Sequence, residues 1–104
     1  MNTGDLEPDW TVDITDPTGT ADFTTVTSWR FDAYRETTDG QVTVFTDTGP
    51  NVTPGATAAE VSVAHEWEAG QTDTEGVLHA VPVATWPGGR EQSFPGARIV
   101  IEAP

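Results

Sequence analysis

The sequence predicts an all-β protein, an antiparallel β-sandwich of about seven strands, and three observations lead there. Apolar side chains alternate with polar ones in several separate windows, the period-two pattern of strands with one buried face. No stretch of about a dozen residues places apolar side chains at i, i+3, i+4 and i+7, as an amphipathic helix requires. Turn signals recur about every 8–12 residues, the spacing of sandwiches and barrels, and eighteen threonines suit strands better than helices.

Residues 1–8 (MNTGDLEP) lack periodicity and carry Gly4 and Pro8, so they read as a mobile N-terminal arm preceding a sandwich domain of residues 9–104. Trp10, Val12 and Ile14 alternate with Thr11, Asp13 and Thr15 as a first strand. Asp16-Pro17-Thr18-Gly19 then closes it with the residue order of a type I turn. After a short connection over residues 23–27, Trp29, Phe31 and Ala33 alternate with Arg30, Asp32 and Tyr34. Asp39-Gly40 accepts the positive φ of a tight hairpin, which returns the chain through residues 41–46. Residues 49–55 (GPNVTPG), with two prolines and two glycines, read as irregular.

The second half is the clearest. Ala59, Val61, Val63, His65 and Trp67 alternate with Glu60, Ser62, Ala64, Glu66 and Glu68. Residues 70–76 (GQTDTEG) are turn chemistry. Residues 77–86 are apolar in both phases apart from His79 and Thr85, the pattern of a central strand covered on both faces. Pro87-Gly88-Gly89 reverses the chain, residues 91–94 return, Pro95-Gly96 breaks the run, and residues 97–102 alternate again. Val61, Val63, Trp67, Val81, Val83 and Trp29 are the expected core.

Composition narrows the function. The formal net charge is −13, with four arginines and no lysine. Nucleic-acid binding needs a basic footprint, so no nucleic-acid partner is expected. The same acidity keeps a protein soluble and holds packed copies apart. Cysteine is absent, which rules out disulfides and thiolate metal sites. The opening MNTGDLEPDW has neither a basic nor an apolar leader segment, so no secretory signal is expected. No apolar run approaches the roughly 20 residues of a membrane helix, and no membrane partner is expected.

Catalytic signals are sparse. His65 and His79 both lie in strands, and if those strands pair the two imidazoles meet across the ladder beside Glu66 or Glu68. No H-x-H or H-E-x-x-H spacing supports a metal there, and a satisfied strand histidine is the commoner case. Asp73-Thr74-Glu75-Gly76 is too short for a calcium loop. Seventeen acids supply chance carboxylate pairs, so such pairs do not discriminate a glycosidase. No nucleophile elbow, P-loop or dinucleotide fingerprint is present. The expectation is no enzyme and no cofactor. Trp10, Trp29 and Trp67 fall on apolar phases and read as core, with Trp86 plugging one end. The rival assignment is a sugar-binding aromatic platform.

Gly4-Asp5, Gly70-x-Thr72-Asp73-Thr74-x-Gly76, Trp86-Pro87-x-Gly89 and Phe94-Pro95 before a final alternating strand resemble a group of phage virion β-sandwiches. The chain is similar over nearly its whole length to the N-terminal domain of siphophage baseplate upper proteins and to small actinobacteriophage virion proteins. The resemblance implies an Ig-like sandwich, a location in the virion, and docking onto other virion proteins of the capsid or tail in many copies. Baseplate members continue into a fibre-like extension, whereas this sequence ends at Pro104, so a free-standing capsid-decoration or head–tail accessory is also expected. The arm residues Met1, Leu6 and Pro8, with Arg98, are the expected partner contacts. A carbohydrate-binding module for cell-surface attachment is the alternative.

Overall fold

Alternation along a strand makes two faces, and burial of the apolar face against a second sheet gives the sandwich. The computed structural model describes residues 1–103 and contains eight strands and one 3-10 turn, Phe23–Thr25. The strands are β1 (Trp10–Thr15), β2 (Ser28–Thr37), β3 (Gly40–Asp47), β4 (Asn51–Pro54), β5 (Glu60–His65), β6 (Gly76–Thr85), β7 (Glu91–Ser93) and β8 (Ala97–Ile101). One sheet has the order β1-β5-β4. The other has the order β3-β2-β6, with β7 and β8 sharing the far side of β6. All these pairings are antiparallel, and among the described residues there is no α-helix.

The core is largely aromatic. At one end Trp10 stacks on Trp67 (ring centroids 5.4 Å apart, 11° between planes) and meets Phe31 edge-on at 5.4 Å. At the other, Phe23, Trp29, Trp86 and Phe94 lie 5.7–6.1 Å from one another in successive contacts. Three of the four tryptophans are buried, and Trp86 is half-buried against the same cluster.

Three expectations are corrected. The 49–55 stretch contains a strand, β4, because its prolines fall where a strand tolerates them. Pro50 precedes the strand, and Pro54 ends it at a sheet edge. Gly55 follows it, and an added Cβ there would collide with Glu60. Val81 is only half-buried, since the inward phase of β6 is Leu78, Ala80, Pro82 and Ala84. Pro82 sits mid-strand without losing a ladder bond. The β7 pairing covers Val83–Thr85 and the β8 pairing ends at Ala80, so Pro82 lies in the gap between them.

The third correction concerns residues 1–8, which are bound to the sandwich rather than mobile. Thr3 N–H donates to the Glu102 carbonyl (2.8 Å), and Glu102 N–H donates to the Met1 carbonyl (2.9 Å). Gly4 N–H donates to the Thr72 carbonyl (3.1 Å), while the buried Thr72 hydroxyl donates to the Asp5 carbonyl (2.8 Å). The Trp67 indole N–H reaches the Pro8 carbonyl (3.0 Å). Backbone groups, more than side-chain area, hold this segment, so a pattern of apolar residues does not reveal it.

Candidate docking site

The two sheets do not cover each other completely. β3 stops at Asp47, opposite Phe31, so Ser28–Arg30 pairs with β6 on one side and with no strand on the other among the described residues. After Asp47 the chain crosses to the other sheet and becomes β4, which pairs with β5 and forms the edge. An open apolar slot of about 600 Å³ lies between these edges. Phe23, Val26, Trp29 and Val61 line it together with Val52 and Pro54 of β4. Val52 is in register with the fully buried Val63 and so faces inward, yet it is 41% exposed because no strand lies beneath it.

Local chemistry fixes each wall. The Asp16 carboxylate accepts from Ala21 N–H (2.8 Å), from Thr18 N–H (3.0 Å) and from the Thr18 hydroxyl (2.8 Å). These donors favour the ionised form and hold its pKa at about 2, Ala21 N–H contributing most. Asp22 then caps the 3-10 turn through Thr24 N–H (3.0 Å), and Phe23 N–H donates to the Ala58 carbonyl (2.8 Å), which sets the ring into the slot. Among the described residues the one charged side chain lining the slot is Glu60. This is an apolar window in a chain of net charge −13.

The β3-to-β4 crossing is clamped by His65. Its Nδ1 lies 2.7 Å from Asp47 Oδ2 and its Nε2 lies 2.7 Å from Gln71 Oε1. Gln71 Oε1 also accepts Glu68 N–H (2.9 Å), which fixes the amide orientation so that its oxygen faces the ring. Both ring nitrogens therefore lie within hydrogen-bond distance of side-chain oxygens. The ring stacks on Phe45 at 4.2 Å and is buried. With both nitrogens engaged, none is left for a metal or for general-base work.

His79 does not meet His65, because the two strands belong to different sheets. It lies on the outer face of the five-stranded sheet, stacked on Tyr34 at 5.1 Å and in register with Arg98. Among the described residues no group of three or more His, Cys, Asp or Glu is arranged to hold a metal. Of the expected partner contacts, Met1 packs against the core and Pro8 is tied through its carbonyl, while Leu6 and Arg98 are exposed on separate elements. The slot was missed because residues 49–55 read as irregular. The signal was present in Val52-x-Pro54, a short alternation bounded by Gly49-Pro50 and Gly55.

No known protein family, no curated protein and no solved structure matches the chain.

Proposed function

We propose that this chain is a non-catalytic structural protein of a bacteriophage virion, an acidic β-sandwich that docks onto a larger capsid or tail protein. The observation that carries docking is the apolar slot bordered by two unpaired strand edges in an otherwise acidic molecule. The surplus negative charge suits a protein displayed in many copies on one particle, where it limits self-association.

The virion assignment is supported by the residues that carry the family resemblance, several of which have a structural task here. Thr72 anchors residues 1–8, Gly89 N–H closes the turn on the Trp86 carbonyl (3.1 Å), and Phe94 completes an aromatic cluster. The sugar-platform alternative is less well supported. Trp10, Trp29 and Trp67 are at most 9% exposed, and the Trp86 indole N–H is bonded to the Asp22 carbonyl (3.1 Å).

Mass spectrometry of purified particles from the source phage tests the assignment. Peptides of this chain should appear in stoichiometric amounts with a capsid or tail protein. Their absence from particles that are otherwise complete would refute it.

A further inference from the structure

We infer that the slot beside β4 receives an extended strand from the larger partner, apolar at alternate positions and flanked by basic residues. The inference rests on the docking function proposed above and names what docks. A strand fits better than a helix or a small molecule because two backbone edges border the slot. β4 offers unpaired N–H and C=O groups on the side away from β5, and Ser28–Arg30 offers them on the side away from β6. An incoming strand bonded to β4 places every second side chain over Trp29, Val61 and Val26 and the others in solvent. Pro54 lacks an N–H and can only accept, so the donors of this edge lie within Asn51–Thr53 and the recognised segment is short.

Charge selects the occupant. A second copy of this chain would bring thirteen further surplus negatives against the same number, which disfavours pairing of like copies. Lys or Arg on either side of an apolar strand would be drawn to a chain of net charge −13, while its apolar residues fill a slot whose lining carries Glu60 alone among charged residues described.

The test titrates the isotope-labelled full chain with a nine-residue peptide, Lys-Thr-Val-Thr-Val-Thr-Val-Thr-Lys, followed by amide NMR. Expected are shifts at Asn51–Thr53 and Ser28–Arg30, with slowed exchange of β4 amides. Replacing both lysines by glutamate should weaken binding on the order of tenfold, because like charges repel across the interface. Val52→Glu should weaken binding at least about tenfold by placing a charge in an apolar contact. The same variant should melt like the parent, since Val52 is already exposed at an edge. Val42→Glu, on the exposed β3, should leave binding unchanged. Shifts confined to the outer face at Tyr34, His79 and Arg98, or no binding by either peptide, would overturn the inference. Equal affinity for the glutamate-flanked peptide would overturn its charge requirement. Concentration-dependent protection of β4 without peptide would replace the partner strand with a second copy. Normal occupancy of Val52→Glu on particles would refute the strand site and leave the virion assignment standing, whereas peptide binding by a chain absent from particles would do the reverse.

Discussion

Replacing Trp67 by alanine removes the side chain that joins both sheets to residues 1–8. The indole is 4% exposed, stacks on Trp10, meets Phe45 and His65 edge-on, and donates to the Pro8 carbonyl. Losing about 150–200 Å² of buried contact at about 25 cal/mol/Å² corresponds to about 4–5 kcal/mol. That lies within the range for large-to-small changes at aromatic core sites. The lost hydrogen bond adds little, because Pro8 is exposed and water can replace the indole at its carbonyl. For a domain holding about 5–15 kcal/mol in all, about a quarter or more of the stability goes. Trp67→Phe keeps a ring against Trp10 and should cost only about 1–2 kcal/mol, largely from the smaller ring. Urea melts followed by circular dichroism measure both. A loss below about 2 kcal/mol for Trp67→Ala would mean that the stacked pair is not packed as described, and the account of this end of the core would fall.

Three further outcomes follow from single contacts. Deleting residues 1–8 should lower stability by about 1–3 kcal/mol, the remainder after backbone and indole bonds are offset by the entropy of ordering eight residues; an unchanged melt would return the segment to a free arm. His65→Leu leaves Asp47 and Gln71 without their shared partner and should cost about 2–4 kcal/mol, with faster amide exchange in β4 if the clamp holds the crossing. Asp16 has its folded pKa depressed from 3.8 to about 2, so its contribution is present above pH 3.8 and is lost as pH falls through about 2. Asp16→Asn should therefore be less stable than the parent at pH 7, and the difference should shrink to a small remainder in melts at pH 2; a gap independent of pH would show that the charge is not what matters.

What a sequence can announce locally, this one does. Side chains two residues apart share a face in any strand, so the alternation of Trp10, Val12 and Ile14, of Trp29, Phe31 and Ala33, and of Val61, Val63 and His65 marks strands before any partner is known. Asp39-Gly40 marks a hairpin by the same logic, since positive φ is a property of one residue, and Gly40 adopts it at +114°.

Tertiary structure decided whatever depends on residues distant in the chain. β6 is apolar in both phases, so its inward face was set only by pairing with β2, which turned Pro82 rather than Val81 toward the core. His65 and His79 look alike in sequence, but one fell inside the sandwich between Asp47 and Gln71 and the other on an outer face beside Tyr34. Residues 1–8 found acceptors and donors on Thr72 and Glu102, far away in the chain. The slot belongs to no segment at all. It exists because β3 ends at Asp47, one sheet overhangs the other, and Trp29 and Val52 face a space that neither strand can fill.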